Sequence, residues 1–144
     1  PRRPRRIVRV FFDSSAFAKR YVNESGTVEV LAWCDRATEL VMSVIAVPEL
    51  VSAFRRLLRE GRLKEAQYAR LKSELFLDLE DALLCDSSPR VIQKAVEALE
   101  AAPLRGMDAI HLGAALVCVA DVFVSADARQ CSAARLLGLR VVEL

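Results

Sequence analysis

The chain has 144 residues, enough for one ordinary domain, and 53% of them are hydrophobic, which excludes wholesale disorder. Its formal net charge is +2, and four arginines near the N-terminus contribute +4, so the remainder of the chain stands at −2. A binder that relies on a uniformly basic surface is therefore excluded, and any positive charge that attracts nucleic acid must be local.

The sequence pattern predicts short apolar strands separated by helices, identified by β-rich runs and by apolar residues at intervals of three and four. In the first half we expect strands over 7–12, 40–43 and 82–85, a helical turn over 17–21, and helices over 27–37, 47–60 and 64–77. Continuation of the last helix to residue 84 is the alternative to the strand over 82–85. In the second half we expect helices over 89–101, 107–119 and 127–137, and strands over 122–125 and 140–142.

These strands are apolar throughout rather than alternating, which is typical of a parallel sheet buried on both faces. The expected fold is therefore α/β, a three-layer α/β/α sandwich around a mainly parallel sheet, forming a single domain over 7–144. A basic arm over 1–6, with Arg2, Arg3, Arg5 and Arg6, precedes this domain. We interpret the arm as a solvated, disordered terminus, and a nucleic-acid arm that contacts phosphates is the alternative.

Four acidic residues fall where this fold brings chain segments together. Asp13 ends the first strand and Asp127 follows the fourth, while Glu49 and Asp108 each lie in the first turn of a helix. In a right-handed parallel α/β layout, strand C-termini and helix N-termini share one edge of the sheet, where such folds bind ligands. Taken singly, the acids at helix N-termini also have a structural explanation as caps or partners of the helix dipole.

Clustered carboxylates repel one another and raise one another's pKa values unless a cation lies among them. Oxygen ligands suit a hard divalent ion, so the four acids predict a Mg²⁺ site, with Mn²⁺ as the alternative. A metal held in this way supports hydrolysis of a phosphodiester. Ser14, Ser15 and Ser125 lie beside the acids and are expected to orient a carboxylate or a metal-bound water, although turns favour serine in any case.

Other reaction classes lack the residues that they need. The chain has one histidine, His111, which excludes a two-histidine ribonuclease mechanism. His111 lies one turn after Asp108 on an apolar helix, and we favour a packed or supporting role over a catalytic one. The patterns G-x-S-x-G, G-x-G-x-x-G and G-x-x-x-x-G-K-[ST] are absent, so esterase, dinucleotide and P-loop chemistry are unsupported. Metal-assisted hydrolysis remains.

The four cysteines, Cys34, Cys85, Cys118 and Cys131, are widely spaced, lie in apolar stretches and include no C-x-x-C pair. We interpret them as buried, reduced thiols, which favours a cytoplasmic protein. The longest apolar stretch, 112–120, is shorter than the ~20 residues of a membrane helix, so no membrane association is expected. The apolar run before Asp13 is also too short for a signal peptide.

Four segments taken in order resemble the PIN-domain family, especially its VapC-type toxins. They are DSSAFAKRY at 13–21, PEL at 48–50, LRGMDAIHLGAAL at 104–116 and FVSADARQ at 123–130. The third segment is the most specific. The resemblance extends from residue 7 over nearly the whole chain and keeps the order of elements of the family.

This resemblance implies a Mg²⁺-dependent endoribonuclease that cleaves RNA and serves as the toxin of a type II toxin–antitoxin system. It also implies a homodimer neutralised by a small cognate antitoxin protein. By position, Asp13 and Asp108 match the core metal ligands, Glu49 and Asp127 match the other two acids, and Ser125 replaces a frequent threonine. No acid of the family pattern is missing, whereas the arginine-rich arm is not part of that pattern.

Two alternatives stay open at this stage. The first is a PIN-like nucleic-acid-binding or assembly module without nuclease activity, whose signature would be a missing acid. The second is a different carboxylate-dependent phosphohydrolase or nuclease, including one that acts on DNA. For either the dimer contact or the antitoxin groove, we expect an exposed apolar helix face within 27–40 or 51–75.

Overall fold

A computed structural model describes residue 6 and residues 8–144 of the chain. Five strands form one sheet: β1 (Arg9–Phe12), β2 (Glu39–Ser43), β3 (Leu83–Cys85), β4 (Val122–Ser125) and β5 (Val141–Glu143). All neighbouring strands are parallel, in the order β3-β2-β1-β4-β5. The predicted parallel sheet is therefore confirmed. Of the basic arm predicted over 1–6, only Arg6 is among the described residues, and it is exposed.

The helices of the described chain connect these strands. They are α1 (Ser14–Phe17), α2 (Thr27–Arg36), α3 (Ala46–Arg59), α4 (Glu65–Glu80), α5 (Pro89–Ala101), α6 (Gly106–Val117) and α7 (Ala128–Leu136), with a 3-10 turn (Ala18–Arg20) after α1. Each predicted element is present, with its ends shifted by at most three residues. The segment before residue 86 is a strand, and α4 does not continue through it. The side chain of Ser88 accepts a hydrogen bond from the Val91 amide and so caps α5, as expected before a proline.

Two apolar cores lie on opposite faces of the sheet, because successive strand residues point to opposite sides. Phe12 belongs to the core beneath α1 to α4, whereas its neighbour Phe11 belongs to the core beneath α5 to α7. Helices α5 and α6 pack closely: a methyl group on Gly113 would lie 2.5 Å from the carbonyl oxygen of Val91. The three-layer α/β/α sandwich is confirmed.

The expectation of four reduced thiols is wrong for two cysteines, since Cys85 and Cys118 form a disulfide. Cys85 ends β3 and Cys118 follows α6, and the fold packs these two segments together although 33 residues separate them. The sequence could not indicate this pairing, because it depends on tertiary proximity. Cys34 and Cys131 are free thiols. The expectation of a cytoplasmic protein rested on four reduced thiols and so loses that support.

Within the described ranges, no helix combines the length and the apolar character needed to cross a bilayer. The longest apolar stretch of the sequence, 112–120, forms the second half of α6 and the turn that follows it. Its buried residues pack in the core beneath α5 to α7.

Candidate active site

The fold brings the four predicted acids to the carboxyl edge of the sheet. Asp13 directly follows β1, and Asp127 follows β4 after one intervening residue. Both cap helices with their side chains: Asp13 accepts from the Ala16 amide, and Asp127 accepts from the first amides of α7. Glu49 and Asp108 lie in the first turns of α3 and α6. Asp13 and Asp127 therefore have a structural role as helix caps. This role does not exclude a functional one at this edge of the sheet.

Asp13 is fully buried and held by three hydrogen bonds. The Ser125 hydroxyl donates to Oδ2 at 2.5 Å, while the Ser15 hydroxyl and the Ala16 amide each donate to Oδ1 at 2.8 Å. Burial raises the pKa of Asp13 above its ordinary value, although these hydrogen bonds favour the ionised form and oppose the increase. Asp13 is therefore a fixed carboxyl group that the protein keeps out of water.

The predicted serines connect the acids to one another. Besides donating to Asp13, the Ser125 hydroxyl oxygen accepts a hydrogen bond of 3.0 Å from the Asp127 amide. The Ser14 hydroxyl donates to Oε1 of Glu49 at 3.2 Å. All three predicted serines, Ser14, Ser15 and Ser125, thus form hydrogen bonds with carboxyl groups.

His111 is buried on α6 and reaches across to α3. Its Nε2 atom lies 2.6 Å from Oε1 of Glu49, and its ring stands edge-on to Phe11. The hydrogen bond from His111 lowers the pKa of Glu49, despite the opposing effect of partial burial. Glu49 therefore stays ionised and oriented. The second imidazole nitrogen of His111, Nδ1, has no hydrogen-bond partner in the described part of the chain.

Gln130 is a site residue that we did not single out in the sequence. Its Nε2 donates to Oδ1 of Asp108 at 3.1 Å, and its Oε1 is buried without a hydrogen-bond partner among the described residues. The available signal was its position three residues after Asp127, where a capping-box glutamine reaches back to the helix N-terminus. Here the side chain bonds to a carboxylate of another helix instead.

The carboxylates at this edge interact electrostatically. Burial raises the pKa of Asp108 above its ordinary value, and the negative charges of Asp127 and Glu49 raise it further. His111 and Arg105 act in the opposite direction but do not cancel the effect. Repulsion of this kind is what a bound cation would relieve.

The donor set has the chemistry of a hard divalent cation, since it consists of carboxylate oxygens, hydroxyls and the unpartnered carbonyl oxygen of Gln130. As the side chains are arranged, however, no three His, Cys, Asp or Glu residues of the described chain form a preassembled metal site. Asp13 is fully engaged by internal donors, whereas Asp108 and Asp127 are partly exposed and each uses only its Oδ1 atom as a hydrogen-bond acceptor within the described part of the chain. The oxygen ligands and the negative charge of these residues therefore suit a divalent cation, but their side chains are not already arranged around one.

A groove of about 610 Å³ adjoins the acids. Glu49 and Asp108 lie at one side of it, and Arg105 adds a cation beside them. The rest of its wall is mainly apolar and comes from α5 and the start of α6: Ile92, Ala95, Val96, Leu99, Met107 and Ile110. Glu49 and Asp108 are therefore reachable from solvent through this groove.

Comparisons with known proteins show what this chain is similar to. Residues 10–136 match the family model described as PIN domain. A protein named Ribonuclease VapC45, from Mycobacterium tuberculosis, is 32% identical over 111 residues, which is 74% of each chain. Among solved structures, FitAcB from Neisseria gonorrhoeae has a TM-score of 0.69 at 16% identity and covers 93% of this chain and 96% of its own. A toxin–antitoxin complex from Klebsiella pneumoniae has a TM-score of 0.67 at 15% identity and covers 94% and 99%. These two structures share the fold of this chain.

Proposed function

The chain belongs to the PIN-domain family, and from this premise we propose that it is a metal-dependent endoribonuclease, the toxin of a toxin–antitoxin pair. The observation that carries the proposal is the gathering of four carboxyl groups at the carboxyl edge of the sheet, where Asp127 and Glu49 raise the pKa of Asp108. RNA as the substrate is supported by the relative named Ribonuclease VapC45. The alternative of a non-catalytic module is disfavoured, because all four acids are present.

We expect the cofactor to be Mg²⁺, with Mn²⁺ as a substitute, held by Asp13, Glu49, Asp108 and Asp127. When bound, such an ion activates water and stabilises the phosphodiester transition state. Because Asp13 is buried and fully hydrogen-bonded, it would anchor the inner side of the site. Asp108 and Asp127 are partly exposed and would close the site from the solvent side.

The surrounding polar residues hold these carboxylates in place. Ser125 fixes Asp13 and the start of α7 through two hydrogen bonds. His111 keeps Glu49 ionised, and Gln130 restrains one oxygen of Asp108. Such supporting groups orient ligands and tune their affinity for a metal.

We also propose that the protein forms a homodimer and is neutralised by a small antitoxin protein. Exposed apolar residues support this proposal, because contiguous apolar surface usually marks a contact with a partner. One group lies on α5 and α6: Ile92, Val96, Leu99 and Met107. Another lies on α2 and α4: Val28, Leu31, Phe76 and Leu77. The first group lies outside the segments where an apolar face was expected, and the second falls only partly within them. The Klebsiella neighbour, itself a toxin–antitoxin complex, gives the antitoxin proposal further support.

Cleavage of a mixed RNA pool by purified, antitoxin-free protein tests the enzymatic proposal. Reactions with Mg²⁺, Mn²⁺ and EDTA should show cleavage with either metal and none with EDTA. Asp108→Asn should abolish cleavage, whereas Asp81→Asn, which removes an equal charge at an exposed position after α4, should not. Cleavage that persists in Asp108→Asn would refute the assigned site.

DNA oligonucleotides of the same length, assayed in parallel, separate a ribonuclease from a nuclease of broader specificity. We expect cleavage of RNA alone, and equal cleavage of DNA would favour the broader nuclease. Light scattering of the purified protein tests the homodimer, since a monomeric mass at micromolar concentration would contradict it. Co-purification with a tagged antitoxin from the same locus tests the second partner.

A further inference from the structure

A second cluster of functional groups lies at the opposite, amino edge of the sheet. A pocket of about 240 Å³ is lined there by Arg6, Val8, Trp33, Arg36, Asp121, Val122 and Arg140, which we call the arginine pocket. Val8 precedes β1, Asp121 precedes β4, and Arg140 precedes β5. The pocket is therefore separated from the acidic site by the length of the strands, and the proposed function does not use it.

Trp33 organises this pocket. Its ring is half-buried at the end of α2 and packs against the apolar core. The guanidinium carbon of Arg36 lies 4.2 Å from the centre of the indole ring, and that of Arg140 lies 5.9 Å from it. Cation–π contacts of this kind hold the arginines without neutralising them. Their N–H groups remain available to an anion.

The charge of the arginine pocket is not balanced internally. Among the described residues, Arg36 and Arg140 form no ion pair. Asp121 is the carboxylate in the described lining, and one of its oxygens accepts a hydrogen bond of 2.8 Å from the Arg9 amide. Three guanidinium groups thus face one carboxylate. The excess of positive charge is local to this pocket.

The sequence carries further positive charge just before Arg6. Arg6 lines the pocket, and Arg2, Arg3 and Arg5 precede it by at most four residues. In the sequence, these three positive charges therefore come within a few residues of Arg6.

We propose that the arginine pocket binds the phosphodiester backbone of single-stranded nucleic acid, as a second site on the RNA that the acidic edge cleaves. Guanidinium groups pair with phosphate through directed N–H donors, and Trp33 holds two of these groups in place. Taking RNA as the ligand rests on the proposed function. From Val8 to Asp13 the chain advances about 16 Å at ~3.3 Å per residue, so only an RNA longer than a few nucleotides reaches both sites.

The chain carries its own probe for this proposal, because Trp33 is its only tryptophan. In EDTA, which prevents cleavage, titration with a 20-nucleotide oligouridylate should change Trp33 fluorescence, and the affinity should fall as salt rises. Each phosphate contact contributes about 0.7 to the slope of log affinity against log salt for a single strand. The double variant Arg36→Gln/Arg140→Gln should therefore lower that slope by about 1.4 and weaken binding roughly tenfold at 0.1 M salt. Anisotropy of a labelled oligonucleotide measures the affinity of this variant independently of Trp33.

The matched control is Arg55→Gln/Arg59→Gln on α3. Arg55 also lies over an aromatic ring, at 5.1 Å from the centre of Tyr68, but on a different part of the surface. The control should keep the affinity and the salt slope of the wild type. Because the backbone is the ligand, the 20-nucleotide oligodeoxyuridylate should bind with the same salt slope, and uridine tetranucleotide should bind much more weakly.

Two results would overturn the proposal: no response of Trp33 fluorescence to the 20-mer, or an unchanged affinity in Arg36→Gln/Arg140→Gln relative to its control. Failure of the proposed function has a different signature. In that case RNA would not be cleaved with any metal, while binding in EDTA would still depend on Arg36 and Arg140.

Discussion

The imidazole of His111 on α6 and the carboxylate of Glu49 on α3 meet at 2.6 Å, between Nε2 and Oε1. His111 is buried, whereas the Glu49 side chain is one-third exposed. The pair therefore connects the core to the acidic edge of the sheet. Because the hydrogen bond lowers the pKa of Glu49, it keeps that carboxylate charged where three other acids gather.

Replacement of His111 tests whether this contact matters for activity as well as for stability. His111→Leu removes the donor, and we expect a loss of about 1–3 kcal/mol in the free energy of unfolding and a clear drop in RNA cleavage. His111→Gln retains an N–H donor and should recover part of both. Urea denaturation and the initial rate of cleavage measure the two effects. Equal activity of both variants and the wild type would show that Glu49 needs no support from His111.

Asp13→Asn should abolish metal-dependent cleavage and leave the fold intact. The amide preserves the size of the side chain and can still accept the hydrogen bonds from Ser15 and Ala16, while the buried negative charge disappears. Circular dichroism tests whether the fold is intact, and the cleavage assay tests whether activity is lost. Full activity in the variant would show that Asp13 is not part of the active site.

The difference in stability between Asp13→Asn and the wild type should depend on pH. Because burial raises the pKa of Asp13, the folded protein holds this proton more tightly than the unfolded chain does. The stabilisation is complete below the unfolded pKa near 3.8 and is lost as the pH rises through the folded pKa. In EDTA, the Tm of Asp13→Asn relative to that of the wild type should therefore rise as the pH is raised above 3.8. A difference that shrinks with rising pH would contradict the raised pKa.

The sequence was sufficient to predict the parallel sheet and the edge to which the acids come. Asp13 and Asp127 follow apolar strands, and Glu49 and Asp108 begin helices, so the right-handed connection rule determines on which edge they lie. The sequence was not sufficient to predict contacts that depend on how helices pack. The bond from Gln130 to Asp108 joins α7 to α6, and no periodicity encodes it. The same holds for Arg140 beside Trp33, which are far apart in the chain.

Gln130 should affect the metal dependence of the reaction rather than the fold alone. Gln130→Met keeps the approximate shape of the side chain but removes the donor to Asp108 and the unpartnered oxygen. We expect the Mg²⁺ concentration that gives half-maximal cleavage to rise about tenfold, as for other residues that support metal ligands. Gln93→Met, an exposed position on α5, is the control. An unchanged Mg²⁺ requirement would limit Gln130 to a packing role.

Because Cys85 and Cys118 form a disulfide, we expect a defined number of free thiols in the purified protein. Protein purified without reductant and denatured in guanidinium should give two reactive thiols per chain, from Cys34 and Cys131, and four after reduction. In the native protein Cys131 should react slowly, because burial raises its pKa to about 11. Four thiols before reduction would restore the expectation drawn from the sequence.

Gly113 tests how closely α5 and α6 must approach each other. A Cβ atom at this position would lie 2.5 Å from the Val91 carbonyl oxygen and 3.0 Å from the Ala95 nitrogen, and both are backbone atoms that cannot rotate away. Gly113→Ala should therefore force the two helices apart and cost about 1–3 kcal/mol in the free energy of unfolding, despite the higher helix propensity of alanine.

At Gly106, in the first turn of the same helix, a Cβ would meet no atom within 4 Å, so Gly106→Ala should not destabilise the protein. Urea denaturation of both variants measures the difference. Because α6 carries Asp108 and His111, we further expect Gly113→Ala to lower RNA cleavage even under conditions where the variant is fully folded. Equal stability of the two variants would mean that α5 and α6 can separate at little cost.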